Sequence, residues 1–303
     1  MLPATDKYLI VITGPTAVGK TQLAVDLAIK LQTEIISADS RQFFRELKIG
    51  TAVPSDQALS CVKHHFIGNL SIHDHFNVSD FEVQALSVIE NLFVTNKYAI
   101  VAGGSGMYID ALCSGIDDFP DTDPMLRISL EKAYNEYGIS YLRNQLKLLD
   151  PEYYRQVDAA NHKRLLRALE VCMTTGKTYS SLRLNTIRKR PFHIIKIGLN
   201  LPRNELFERI GKRVDQMMAE GLEAEARMLY PQRSLNALNT VGYKELFNYF
   251  DGDDTLERAV ENIKTNTRRY AKRQLTWLAR DKSIQWFAPE QFTEIESFIH
   301  CNS

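Results

Sequence analysis

The 303-residue sequence has little cysteine, no long hydrophobic run and no excess of charge of either sign. Its four cysteines are scattered without a CxxC pair, which favours reduced thiols over disulfides or a zinc site. No segment approaches the ~18 consecutive apolar residues of a membrane helix, and the N-terminus has no apolar targeting segment. The sequence therefore argues against a disulfide-rich secreted module and a membrane partner, and it predicts a cytoplasmic protein.

Basic and acidic residues number 37 each, so only a local patch could attract a polyanion. Residues 118–191 contain 13 Lys and Arg against 9 Asp and Glu, and residues 254–282 contain 8 against 4, an excess of 4 in each. Each segment includes a basic amphipathic helical pattern, at 162–170 and 268–274. Either pattern could bind a nucleic-acid backbone or form an ordinary solvated helix face.

Strand-like and helix-like patterns alternate along most of the chain, which predicts a parallel sheet flanked by helices. The predicted strands are 7–13, 34–38, 98–102 and 193–201. The predicted helices between and after them are 22–31, 81–96, 205–229 and 255–281. The segment 117–191 begins with prolines and aspartates that disfavour regular secondary structure, and the rest of it has only helical patterns. We therefore expect a discontinuous core domain, 1–116 plus 192–303, with a helical insertion domain at 117–191.

A glycine-rich segment between the first predicted strand and helix matches the phosphate-binding pattern GxxxxGK[ST]. Its glycines let backbone N–H groups converge, its lysine supplies a charge and its last hydroxyl can hold Mg²⁺. The motif is typical of nucleotide-binding and ATP-binding proteins, and it predicts a P-loop NTPase-like α/β fold. The expected phosphate ligands are Gly14, Pro15, Thr16, Ala17, Val18, Gly19, Lys20 and Thr21.

A second candidate group follows the second predicted strand, where Asp39 stands at the carboxyl edge of the sheet, near the phosphate loop. Asp39 could ligate a metal indirectly, accept a proton from a nucleophile, or simply cap a following helix. The strand at 98–102 leads instead into Gly103–Gly104–Ser105–Gly106, either a site for close approach to a ligand or a plain turn. The histidines at 64–65 and 73–75 lack metal-site spacing, so we predict no metal there.

Several motifs, in their order along the chain, resemble the bacterial tRNA dimethylallyltransferases, and the resemblance covers nearly the whole sequence. They are GPTAVGKT at 14–21, ISADSRQ at 36–42, IGTAVP at 49–54, GGSGMY at 103–108, NHKRLLRALEV at 161–171, TGKT at 175–178, VGYKE at 241–245 and AKRQLTW at 271–277. The resemblance implies transfer of a dimethylallyl group from dimethylallyl diphosphate to N6 of the adenosine 3′-adjacent to the anticodon. The products would be modified tRNA and diphosphate, with Mg²⁺ as cofactor.

The resemblance also implies roles for individual residues. Asp39 would be the general base, Thr16 would assist at the reaction centre, and Arg213 would contact the leaving group. Thr21 is the expected magnesium ligand and residues 14–21 the diphosphate loop. The tRNA anticodon stem-loop would be contacted by Asp39, Ser40, Arg41, Gln42, Ser105, Arg127, Lys163, Arg164, Leu165, Leu166 and Arg167. We expect the protein to act as a monomer.

The sequence departs from the family pattern at three positions, where Phe44, Val53 and Ser105 replace a tyrosine, a basic residue and a threonine. Ser105 keeps the hydroxyl, whereas Phe44 and Val53 each lose a polar group. No zinc-finger spacing of the kind found in eukaryotic relatives is present. Three alternatives stay open on sequence alone: an adenylate dimethylallyltransferase, a small-molecule or nucleoside kinase using ATP, and an RNA-binding protein with a vestigial P-loop.

Overall fold

The computed structural model describes residues 6–117, 119, 123–184 and 186–303. The chain divides into two compact units, Met1–Ser114 with Lys189–Ser303, and Gly115–Arg188. We call the first the core unit and the second the helical unit. Within the described ranges, no helix combines the length and apolar character needed to cross a membrane.

The core unit is built on a parallel sheet with strand order β3-β2-β4-β1-β5-β6. Its strands are β1 Tyr8–Thr13, β2 Ile35–Ser37, β3 His64–His65, β4 Tyr98–Ala102, β5 His193–Leu199 and β6 Gln285–Phe287. The predicted P-loop NTPase-like sheet fold is confirmed. The edge strands β3 and β6 were not predicted, because two or three residues are too short to give a period-two pattern.

Helices occupy most of the remaining described chain. In chain order they are α1 Lys20–Lys30, α2 Asp56–Cys61, α3 Val78–Thr95, α4 Gly106–Ser114, α5 Pro124–Tyr137, α6 Ile139–Leu149, α7 Pro151–Gln156, α8 His162–Thr175, α9 Tyr179–Leu182, α10 Arg203–Ala219, α11 Leu222–Leu229, α12 Tyr243–Phe250, α13 Leu256–Leu278 and α14 Phe292–Cys301. The single helix predicted over 205–229 is wrong. Gly221, at φ 100°, adopts a left-handed conformation and separates α10 from α11.

Both faces of the sheet are covered, since side chains alternate along each strand. Ile10 and Ile12 of β1 pack in an apolar cluster that includes side chains of α1, α10 and α14. Leu9 and Val11 pack in a second cluster with side chains of α3 and α4. This doubly wound arrangement brings the loops after β1, β2 and β4 to one edge of the sheet.

Those loops approach each other closely at the carboxyl edge. The N–H of Gly103 donates to the carbonyl of Ile12, and the N–H of Ser105 donates to the carbonyl of Ala38. A Cβ atom at Gly103 would lie 2.2 Å from the Ala38 carbonyl oxygen, so glycine is required there. The backbone around β4 thus joins the loop after β1 to the loop after β2.

A third apolar cluster of the core unit joins helices α10, α11, α12 and α13 to the chain segment after β2. Phe44 is 7% exposed in this cluster, which accounts for an apolar ring at a position that is usually tyrosine in the family pattern. The cluster holds α10 and α13 beside the loops at the carboxyl edge. The helical unit contains α5 to α9 around its own core of buried leucines.

Candidate active site

The phosphate loop follows β1 and leads directly into α1. Gly14 and Gly19 have φ of 144° and 110°, and Ala17 has φ 65°, so the backbone turns through left-handed conformations. A Cβ at Gly14 would lie 2.4 Å from the Leu199 carbonyl oxygen. The loop therefore packs tightly on β5 and presents the first turn of α1, a favourable place for an anion.

Lys20 folds back over this loop. Its Nζ donates hydrogen bonds to the carbonyl oxygens of Gly14, at 3.0 Å, and Pro15, at 2.7 Å. Burial lowers the pKa of Lys20 to about 8, although the nearby Asp39 raises it; Arg213 lowers it further. Both of its hydrogen-bond partners are neutral carbonyl groups, and a bound phosphate would give the Lys20 ammonium a negatively charged partner.

We expect inorganic diphosphate to bind with a pH dependence that Lys20 sets. Since the ammonium form is lost as pH rises through about 8, affinity should weaken above that pH, and binding there should be accompanied by proton uptake. Calorimetric titration in buffers of different ionisation enthalpy measures both effects. The control, Lys20→Arg, keeps its charge at these pH values; the same proton uptake in this variant would show that another group is responsible.

Asp39 follows β2 and faces the same region. Its Oδ1 accepts a hydrogen bond from the N–H of Arg41 at 3.0 Å. No helix begins at this point, so the helix-cap alternative is wrong; the carboxylate instead closes a short local turn. Among the described residues no hydrogen bond to its Oδ2 is seen, which leaves that oxygen available to a ligand.

Arg213 reaches this region from α10. Its guanidinium donates to Oγ1 of Thr16 at 3.3 Å, so the hydrogen of that hydroxyl remains available to a substrate oxygen. Burial lowers the pKa of Arg213, and the charge of Asp39 opposes this. Arg209, one turn earlier, pairs instead with Glu290 at 3.1 Å. Arg213, and not Arg209, therefore contacts the phosphate loop.

Thr16, Asp39 and Arg213 line one pocket of the core unit, whose lining is partly polar and partly apolar. Its polar lining includes Thr16, Asp39, Arg41, Arg213, Thr240, Thr267 and Tyr270. Its apolar lining is Ile210, Val214, Met217, Leu222, Val241 and Ile263, and Gly50, Thr51 and Gly242 complete the wall. A ligand with an anionic head and a small apolar tail matches this division.

The apolar wall was missed by sequence reasoning. Ile210, Val214 and Met217 recur at helical spacing on α10, but the same pattern is given by any helix packed on a core. Two further residues were also missed. Tyr270 lines the pocket, and burial together with the charge of Asp39 raises its pKa to about 12, so its hydroxyl stays protonated at neutral pH. Gln274 lies in the motif at 271–277, but the sequence predicted no function for it.

Gln274 links two loops of the site. Its Oε1 accepts from the N–H of Thr16 at 2.9 Å, and its Nε2 donates to the Gly104 carbonyl at 2.9 Å. Ser105, in the same loop as Gly104, accepts from the N–H of Ser40 at 3.1 Å. The phosphate loop, the Gly-rich loop and the Asp39 loop therefore form one hydrogen-bonded frame.

Two residues with a predicted RNA contact are also bonded within the protein. Arg41 donates to the carbonyl oxygens of Asn236 and Ala237, at 2.9 and 3.1 Å. Gln42 donates to the carbonyl oxygens of Thr51 and Ala52, at 3.2 and 3.0 Å. Both side chains fasten the loop after β2 to its neighbours, and their contact with RNA stays a prediction.

The remaining predicted RNA contacts lie in the helical unit. Arg127 of α5 donates to the buried Glu170 at 2.8 Å, and Arg167 lies 3.5 Å from the same carboxylate. Leu165 and Leu166 are 0% and 2% exposed in the core of this unit, so their side chains pack inside the protein, and a contact with RNA would have to come from their backbone. Lys163, Arg164 and Arg167 flank this leucine pair and retain exposed or half-buried side chains.

The side chains near the phosphate loop also indicate how Mg²⁺ could be held. Nowhere in the described ranges do three Asp, Glu, His or Cys side chains cluster as a metal site. A hydroxyl at Thr21 and one carboxylate at Asp39 are too few to hold Mg²⁺ alone. They fit an ion whose other ligands are phosphate oxygens and water.

Comparison with known proteins decides the family. Residues 42–281 match the model of the IPP transferase family. The chain belongs to the IPP transferase family. It is 51% identical over 298 residues to the tRNA dimethylallyltransferase 1 of Bacteroides fragilis, covering 98% of this chain and 99% of that protein. The resemblance drawn from the sequence motifs is thereby confirmed.

Solved structures of related enzymes have the same fold. The full-length tRNA isopentenylpyrophosphate transferase of Bacillus halodurans is 36% identical, with a TM-score of 0.72 over 98% of this chain and 96% of that one. A eukaryotic dimethylallyltransferase acting on tRNA is 26% identical, with a TM-score of 0.79 over 98% of this chain and 77% of that one. The pocket described above thus belongs to a prenyltransferase fold that carries a P-loop.

Proposed function

We propose that this protein transfers the dimethylallyl group of dimethylallyl diphosphate to N6 of the adenosine 3′-adjacent to the anticodon of tRNA, releasing diphosphate. One observation carries the proposal: a P-loop threonine, a buried arginine and a carboxylate line one pocket that also has an apolar wall, and Lys20 lies close enough to the arginine and the carboxylate for both charges to shift its pKa. Membership of the IPP transferase family supports it. A kinase would have less use for an apolar wall beside its phosphate loop.

The positive groups of the pocket account for departure of diphosphate. As the C1–O bond of the allylic substrate lengthens, negative charge grows on the leaving oxygen. Backbone N–H groups at the start of α1, together with Lys20 and Arg213, would stabilise that charge without reorganising at the moment of reaction. Thr16, whose hydroxyl accepts from Arg213, can donate its hydrogen to the same oxygen.

Asp39 accounts for activation of the nucleophile. The exocyclic amine of adenine is a poor nucleophile, so removal of its proton as the C1–N6 bond forms would lower the barrier. The proton would pass from N6 to the Asp39 carboxylate, whose Oδ1 is oriented by the N–H of Arg41. One C–O bond breaks and one C–N bond forms, and the proton and the diphosphate leave separately.

Magnesium fits this arrangement as a companion of the diphosphate. Thr21 and, through water, Asp39 would hold it, and when bound it would neutralise phosphate charge as a Lewis acid. The tRNA base would have to leave its stack to reach Asp39, as in other enzymes that act on a base. We further propose that the protein works as a monomer in the cytoplasm, where its tRNA substrate is found.

The helical unit would bind the anticodon stem through its basic face, and this gives a prediction. Lys163→Ala should weaken tRNA binding and reduce the slope of log K against log salt by roughly 0.7 to 0.9, because one phosphate contact is lost. Binding measured over a range of salt concentrations tests it. The control is Lys132→Ala, at an exposed lysine of α5 outside the predicted segment. An unchanged slope for Lys163→Ala would remove this residue from the contact.

Mass spectrometry of nucleosides after incubation of the protein with tRNA, Mg²⁺ and dimethylallyl diphosphate tests the function. A dimethylallyl adenosine should appear, and it should disappear when the diphosphate substrate is omitted. Parallel reactions with adenylate in place of tRNA, and with ATP labelled at the γ-phosphate, examine the alternative enzymes. Prenylated adenylate or phosphorylated product without modified tRNA would overturn the proposal.

A further inference from the structure

Two sequence motifs of the core unit receive no task in the reaction above, the segment 49–54 after the Asp39 loop and the segment 241–245 before and within α12. Both contribute to the pocket wall, through Gly50 and Thr51 in the first and Val241 and Gly242 in the second. A residue outside both motifs, Glu225 of α11, connects them.

Glu225 is 8% exposed and accepts four hydrogen bonds. Its Oε2 accepts from the N–H groups of Lys48 and Ile49, at 3.0 and 2.9 Å. Its Oε1 accepts from the N–H of Gly50 at 2.9 Å and from the hydroxyl of Tyr243 at 2.7 Å. Three successive backbone amides thus converge on one side chain, an arrangement that favours a negatively charged acceptor.

The backbone of Gly50, whose N–H is bonded to Glu225, also packs against the ring of Tyr243. The ring is fully buried, and a Cβ atom at Gly50 would lie 2.6 Å from it. Burial and the neighbouring Glu225 raise the pKa of Tyr243, so its hydroxyl remains a donor. Gly50 is therefore confined between an aromatic ring and a carboxylate, and no side chain of its own fills the pocket.

We propose that Glu225 is a positioning residue that holds the 48–51 backbone as a fixed wall of the pocket and thereby sets its fit to the isoprenoid chain. This inference rests on the proposed function, since it assigns the apolar part of the pocket to the dimethylallyl group. The phosphate loop is outside this network: its links run through Gln274 and Arg213. The wall should therefore matter for the hydrocarbon and not for diphosphate.

The substitution Glu225→Gln tests how strongly this carboxylate fixes the 48–51 backbone. An amide placed with Nε2 at the Oε1 position reverses the bond to Tyr243 and donates to its hydroxyl oxygen, but it faces the N–H of Gly50 and leaves that donor unpaired. The opposite orientation would leave two amides unpaired. The Gly50 segment should thus loosen while Lys48 and Ile49 stay bound, and KM for dimethylallyl diphosphate should rise about tenfold.

Steady-state kinetics with wild-type protein and Glu225→Gln, together with inhibition by inorganic diphosphate, test the inference. We expect the higher KM for dimethylallyl diphosphate to be accompanied by less than twofold change in the diphosphate inhibition constant and in KM for tRNA. The control is Glu82→Gln, which removes another buried carboxylate, bonded to Arg190 and absent from the pocket lining. It should lower the unfolding temperature without changing KM.

An unchanged KM for dimethylallyl diphosphate in folded Glu225→Gln would overturn the inference, and so would equal weakening of diphosphate and dimethylallyl diphosphate. Should this variant fail to fold, Tyr243→Phe keeps the ring against Gly50 and removes one donor. Its KM should rise about threefold, and a wild-type KM would overturn the inference equally. Absence of transfer by the wild-type protein would instead refute the proposed function, independently of either variant.

Discussion

Replacing Asp39 by asparagine is expected to lower kcat by about a thousandfold, since a general base contributes roughly 10² to 10⁴ to such a step. Asparagine keeps an acceptor for the N–H of Arg41, so the local turn should persist. KM for dimethylallyl diphosphate is not diagnostic here, because Asp39 also raises the pKa of Lys20 and would hold magnesium through water; kcat reports on its role as a base. Single-turnover transfer of labelled dimethylallyl to tRNA measures the step directly.

Asp39→Ala supplies the comparison, because it removes both the proton acceptor and the turn acceptor. We expect the kcat of Asp39→Ala to be no higher than that of Asp39→Asn, and tRNA binding by Asp39→Ala to remain measurable. Modification at the wild-type rate by either variant would mean that the Asp39 carboxylate has no role in the reaction.

The second large effect is expected at Arg213. Replacement by methionine removes the guanidinium that contacts Thr16 and faces the diphosphate site, while keeping a flexible apolar stem within α10. Loss of one preorganised donor to a developing oxyanion costs about 10² to 10³ in rate, so kcat/KM should fall in that range. The fold should not suffer, since a buried cation is replaced by an apolar group.

Arg209 provides a matched control on the same helix. It lies one turn from Arg213, but its side chain pairs with the exposed Glu290 and is absent from the pocket lining. Arg209→Met should retain activity within about twofold, as exposed ion pairs contribute little. Equal losses in the two variants would indicate damage to α10 instead of loss of a contact with the leaving group.

Sequence reasoning succeeded for the local structure of the phosphate loop. Residues 14–21 form a contiguous motif, and the strand before it and the helix after it are where the sequence predicted them. Its phosphate chemistry stays a prediction. Asp39 was identified because it directly follows a strand, and strand ends share one edge of a parallel sheet. The structure excludes a helix cap as the role of Asp39, since no helix begins directly after it.

Features made by distant segments could not be predicted in the same way. The apolar wall combines residues of α10, α11 and α13, whose helical spacing is equally that of core residues. Glu225 carried no signal, because a single glutamate on an amphipathic helix is ordinary until three backbone amides are found around it. Leu165 and Leu166 were included with their basic neighbours, although the helical period already separates the two faces.

The most direct test of the central claim uses two anticodon stem-loops that differ only at the nucleotide 3′ to the anticodon. One carries adenosine and the other purine riboside, which lacks the exocyclic amine. With labelled dimethylallyl diphosphate and Mg²⁺, the account predicts label in the first stem-loop, diphosphate released in equal amount, and no label in the second. Equal labelling of both, or diphosphate release without labelled RNA, would contradict it.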